Sequence, residues 1–116
     1  IHHRRDTHWS LLCVKPRTRM LAHYDSLSNE RRTDEVHRVL MPCLSSLFGE
    51  GEWRIDPTHA PQQRGGVDCG VFCCQFAANL FRGEEVRFSM DLVWAARVLI
   101  AAQLIASVPE VASPAV

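Results

Sequence analysis

The chain carries no net charge, since 13 lysines and arginines stand against 13 aspartates and glutamates in 116 residues. A protein that grips nucleic acid needs a basic stripe or patch to neutralise phosphates, so no electrostatic case for a nucleic-acid partner exists. Residues 1–10 lack the apolar run of a secretory signal. The five cysteines (Cys13, Cys43, Cys69, Cys73, Cys74) are an odd number, which excludes a fully paired disulfide framework. Both absences point to a reduced intracellular setting, nucleus or cytoplasm. Cys69, Cys73 and Cys74 lack the paired spacing of a structural zinc site. His2 and His3, beside Arg4, Arg5 and His8, read as a solvated polar end rather than a metal site. No metal site is expected from these residues. Internal repeats and low-complexity linkers are absent too, and the 47% hydrophobic content is enough for one modest core.

Against these absences, Pro61-Gln62-Gln63-Arg64-Gly65-Gly66-Val67-Asp68-Cys69-Gly70 concentrates residues that suit chemistry. Asp68 is a good capping residue, and a helix starting there puts Cys69 in its first turn, where the helix end favours a thiolate. Gly65 and Gly66 allow a tight turn and a close approach of another backbone. Gln63, six residues before Cys69, can aim an amide into the same space. A cysteine nucleophile and an oxyanion donor would then share one loop.

Upstream, Trp9 to Val14 and Arg19 to Leu27 read as two strands joined by the turn Lys15-Pro16-Arg17-Thr18. If Val14 pairs with Arg19, paired residue numbers sum to 33 and His8 falls opposite Asp25. Opposed residues share a face, so the carboxylate could orient the imidazole. Thr33 to Phe48 has a helical stripe of Val36, Val39, Leu40, Cys43, Leu44, Leu47 and Phe48, with Pro42 predicting a kink or early break. Gly49 and Gly51 end it, and Trp53 to Ile55 is a brief strand that completes the sheet. A second helix follows from Cys69 to Leu80 with Phe72, Phe76 and Leu80 as its buried face. Ser89 caps a long apolar segment, Met90 to Val108. Arg97 near its middle disfavours a membrane span, so a buried or partner-facing helix is expected. Residues 109–116 read as a flexible tail.

His8-Trp9, then Tyr24-Asp25-Ser26-Leu27, then Pro61-Gln62-Gln63 and Gly66-Val67-Asp68-Cys69-Gly70 resemble the active-site signatures of the ubiquitin-like-protein-specific (SUMO or sentrin) cysteine proteases. The segment from Asp91 to Arg97 is also similar to that family's last helix. The resemblance implies an α+β papain-like core, a short mixed sheet flanked by helices, over residues 1–108. It implies Cys69 as nucleophile, His8 as general base and later acid, Asp25 as the group orienting His8, and Gln63 as an oxyanion donor with the Cys69 N–H. Trp9 would be one wall of a tunnel for the Gly-Gly tail of a SUMO-like protein, whose conjugates would be the partners.

Arg64 and Gly65 depart from the proline and asparagine common there. The family also has a substantial portion before the catalytic histidine, so the amino-terminal part is expected to be missing and the chain to be slow or poorly soluble alone. Two further readings stay open at this point: a remnant that binds a ubiquitin-like protein without turnover, and a membrane-tethered or structural helical fragment.

Overall fold

A computed structural model describes residues 1–3 and 7–109, which leaves Arg4, Arg5, Asp6 and residues 110–116 of the expected tail outside the described residues. The expected hairpin is present as β3 (Leu11–Lys15) and β4 (Met20–Tyr24), antiparallel. Its register differs from the expected one: Leu11 pairs with Tyr24, Val14 with Leu21 and Lys15 with Met20, so partners sum to 35 and not 33. The reason lies in the turn. Arg19 adopts a left-handed conformation (φ 51°) and donates its N–H to Pro16 O at 3.3 Å, so it belongs to the loop and the strand begins one residue later. A slip of two residues, unlike a slip of one, preserves which face each side chain occupies.

The first strand is also shorter than expected. Ser10 ends the run, and β2 (His8–Trp9) pairs with β1 (His2–His3) in a separate two-stranded sheet. His3 is therefore not a solvated end: it is half-buried and its Nε2 shares a hydrogen bond of 2.7 Å with Ser10 Oγ. β5 (Arg54–Asp56) joins β4 in parallel, giving a mixed three-stranded sheet of order β3-β4-β5. The crossover that a parallel pair requires is α1 (Glu30–Phe48).

Alternation along β4 sorts the core. Ala22 and Tyr24 face Phe72 and Phe76 of α2 (Cys69–Phe81) and Val93 of α3 (Val93–Ser107), whereas Leu21 packs with Leu44 of α1 and with Trp53. Phe72 and Phe76 are fully buried. Burying such a ring is worth about 1.5–3 kcal/mol, so α2 is firmly anchored one and two turns beyond Cys69.

Helix α1 starts earlier than the apolar stripe suggested, because Asn29 caps it by accepting the Arg32 N–H at 3.2 Å. It also runs unbroken through Pro42 to Gly49 (φ 78°), against the expected break. Pro42 is exposed, so its ring and the lost hydrogen bond face water while Val36 and Leu44 hold the other side. Three strands cover only part of the stripe, and Val39, Leu47 and Phe48 remain exposed. The last apolar segment is a 3₁₀ turn (Met90–Leu92), capped as expected by Ser89, followed by α3. It is not buried: only Val93 and Ala96 are, while Trp94, Leu99 and Ile105 stand exposed. By length and composition alone, Met90–Ser107 is apolar enough to cross a membrane.

A polar cluster lies beneath the hairpin. His23 is buried, with Nε2 2.8 Å from Ser10 Oγ and Nδ1 3.1 Å from Thr33 Oγ1. Burial lowers its pKa to about 4, against a weaker raising effect of Asp25. An unfolded chain then binds more protons at this site than the folded one between pH 6.5 and 4, so stability is present above pH 6.5 and is lost as pH falls through that window. Urea midpoints at pH 7.5 and 4.5 should therefore drop more in the wild type than in His23→Gln. Identical pH dependence in both would show that another group governs acid sensitivity.

Candidate active site

Asp25 follows the last residue of β4 and is almost entirely buried. Its Oδ1 lies 2.7 Å from His8 Nε2 and accepts the Leu27 N–H at 2.9 Å, and its Oδ2 accepts from Arg32 Nε at 3.0 Å. Arg32 also donates through Nη2 to Leu27 O. Burial alone would push the Asp25 carboxyl up. The bonds from Leu27, Arg32 and His8 and the Arg32 charge outweigh it and hold the carboxyl below the usual carboxylate range. An ionised carboxylate only accepts, so the hydrogen-bond network assigns the His8 proton to Nε2 and leaves Nδ1 with its lone pair.

The sequence placed His8 opposite Asp25 by a strand register that does not occur, yet the two side chains meet. Because β2 pairs with β1, the contact runs through side chains across the gap between the two sheets.

Cys69 is the first residue of α2 and is buried, and α2 packs directly on β2, the strand of His8. Asp68 occupies the N-cap position without capping. Its carboxylate instead accepts from Arg97 Nη2 at 2.5 Å, and Arg97 also donates to Val67 O at 3.0 Å. Asp68 thus ties the cysteine loop to α3. A Cβ added at Gly65, Gly66 or Gly70 would meet nothing within 4 Å, so the close approach expected at Gly65 and Gly66 does not come from this chain. Trp9 lies half exposed beside His2, ring centroids 4.6 Å apart. Cys73, one turn after Cys69, is half-buried, and burial pushes its thiol up to about 11.

Gln63 is buried and latched to the turn after β4. Its backbone N–H donates to Ser26 O at 2.8 Å, and its Oε1 accepts from Ser26 Oγ at 2.6 Å. That bond orients the amide, whose Nε2 donates to Gly65 O. Gln62 completes the latch, accepting from the Ser28 N–H at 2.8 Å and donating to Asp25 O at 2.9 Å. The carboxylate that holds His8 and the amide of Gln63 are therefore parts of one hydrogen-bonded unit.

Sequence reading overlooked Arg32, Ser10 and His23, and gave Ser26 no role of its own within its motif. For Arg32 the missing signal was Asn29: recognised as the cap, it would have put Arg32 in the first turn of a helix capped four residues after Asp25. Among the described residues, no group of three or more His, Cys, Asp or Glu side chains is placed to hold a metal ion.

A family model described as the Ulp1 protease family, C-terminal catalytic domain, matches residues 1–103. Sentrin-specific protease 2 of Homo sapiens is 29% identical over 99 residues, covering 73% of this chain and 16% of that protein. Its counterpart in Mus musculus matches to the same extent. NEDD8-specific protease 1 of Arabidopsis thaliana is 33% identical over 67 residues, covering 56% of this chain and 28% of that protein. The chain thus spans about a sixth of the length of the sentrin-specific proteases it matches.

Proposed function

Because the chain belongs to the Ulp1 protease family of ubiquitin-like-protein-specific cysteine proteases, we propose that it is the carboxy-terminal part of a papain-like catalytic domain, residues 1–108, that cleaves after the Gly-Gly terminus of SUMO or a related modifier. The observation that carries this reading is the buried His8–Asp25 hydrogen bond beside a helix headed by Cys69. His8 Nδ1 takes the Cys69 proton, and the sulfur attacks the carbonyl carbon of the last glycine. The negative charge on the carbonyl oxygen is met by the Gln63 amide and by the backbone N–H of Cys69, which at the first helical position has no carbonyl in its own helix to bond. His8 then returns the proton to the leaving amine, from a peptide bond or a lysine isopeptide, and water releases the modifier from the thioester with His8 again as base.

Trp9 serves as a wall for the extended glycine tail. The open space over Gly65 and Gly66 suits an extended backbone, because no side chain intrudes there. All five cysteines are unpaired, in keeping with a reducing compartment, nucleus or cytoplasm.

The test is to expose the chain to SUMO-type and NEDD8-type modifiers whose last glycine carries a thiol-reactive vinyl group. A covalent adduct mapped to Cys69 is expected, with SUMO reacting faster. Non-covalent binding without an adduct from any modifier would instead mark a catalytically incompetent remnant that only holds a ubiquitin-like protein.

A further inference from the structure

An arginine with 8% of its surface exposed is an unusual feature in a domain of this size, and its guanidinium sits on the one carboxylate that His8 uses. Arginine is seldom buried unless its charge and donors are met. Here Nε reaches Asp25 Oδ2 at 3.0 Å and Nη2 reaches Leu27 O, while the Leu27 N–H returns to Asp25 Oδ1 at 2.9 Å. The fork therefore closes a ring through Asp25 and the turn behind it. One carboxylate oxygen is held by the Arg32 Nε–H, and the other, braced by the Leu27 N–H, faces the imidazole. From this geometry we infer that Arg32 is a positioning residue of the active site, a fourth member that acts on His8 only through Asp25.

The inference rests on the protease reading and deepens it. The groups that bear on Asp25 come from several elements. His8 of β2, His3 of β1 and His23 of its own strand lie around it, Arg32 comes from α1, and His37 of α1 and Asp56 of β5 share a small cavity with it. Of these, Arg32 alone is a permanent cation, because the histidines at positions 3 and 23 are held neutral by burial at neutral pH. Without Arg32, the upward push of burial on the carboxyl would be opposed by the Leu27 and His8 bonds but no longer by the Arg32 charge and its hydrogen bond. His8 would lose its anionic partner at a pH where the enzyme should still work. Lysine could restore the charge, but as a single point it cannot span Asp25 Oδ2 and Leu27 O together.

Arg32→Gln and Arg32→Lys should be compared with the wild type by steady-state cleavage of a modifier fusion across pH, and by carbon NMR titration of the Asp25 carboxyl, which needs no turnover. In Arg32→Gln the acidic limb of kcat and the Asp25 midpoint should both move up by about 1–3 pH units, with KM unchanged. In Arg32→Lys the acidic limb should return close to its wild-type position while kcat stays about tenfold low. If Arg32→Gln does not fold, the lysine variant alone decides: wild-type kcat and KM would overturn the proposal. So would an unmoved Asp25 midpoint in Arg32→Gln accompanied only by a lower melting temperature. Absence of cleavage in the wild type, with the Asp25 midpoint shifting as described, would overturn the protease reading and leave the Arg32–Asp25 coupling standing.

Discussion

Replacing Cys69 with serine is expected to abolish release of a peptide or lysine from the modifier terminus, a loss on the order of 10⁶-fold by analogy with removal of a triad nucleophile. The serine hydroxyl is far less acidic than a thiol, and an imidazole arranged to accept from sulfur does not activate it. Cys73→Ser and Cys74→Ser provide the contrast. Cys73 is a thiol at neutral pH, pushed up to about 11 by burial, and Cys74 is exposed on the far side of the helix. Each should keep full turnover, Cys73→Ser with a lower melting temperature. The measurement is single-turnover cleavage of a modifier fusion by the three variants at equal folded concentration. Retained turnover in Cys69→Ser, or its loss in Cys73→Ser alone, would move the nucleophile elsewhere.

Asp25→Asn should lower kcat about 10⁴-fold while leaving KM for the modifier nearly unchanged. The reason is directional. Arg32 and the Leu27 N–H can both only donate, and the cationic guanidinium claims the single carbonyl oxygen of the introduced amide over the neutral N–H, so the amide NH₂ turns to His8 Nε2. That nitrogen must then accept, the ring proton moves to Nδ1, and the lone pair that should take the Cys69 proton is gone. Nitrogen NMR of the His8 ring would report this tautomer change directly, apart from any effect on the fold. The variant should also melt earlier, because a buried arginine has lost its anionic partner. A wild-type tautomer together with a wild-type rate would remove Asp25 from the mechanism.

Trp94, Val98, Leu99, Leu104 and Ile105 of α3 are exposed, a point on which the sequence left a buried and a partner-facing helix both open. A segment that is apolar all round gives no phase, so burial or exposure depends on what else the fold puts beside it. The same limit explains Arg32 and His23, polar residues whose burial follows from the crossover of α1 and not from any local pattern.

Local chemistry did determine the elements that carry the site. Proline and the polar turn made the β3–β4 hairpin, and four-residue spacing of Phe72 and Phe76 made α2 an anchored helix with Cys69 at its first position, although Asp68 does not cap it. These signals survive in sequence because turns, caps and apolar periodicity act over a few residues. Only the tertiary structure decided how His8 reaches Asp25, since the chain leaves the hairpin at Ser10 and β2 pairs with β1. Only it showed that Asp68 binds Arg97 rather than capping its own helix, and that Ser26 turns the Gln63 amide. Each of these is a contact between side chains or strands far apart along the chain, selected by which buried donors and acceptors the packed elements bring within reach, and no local pattern encodes that choice.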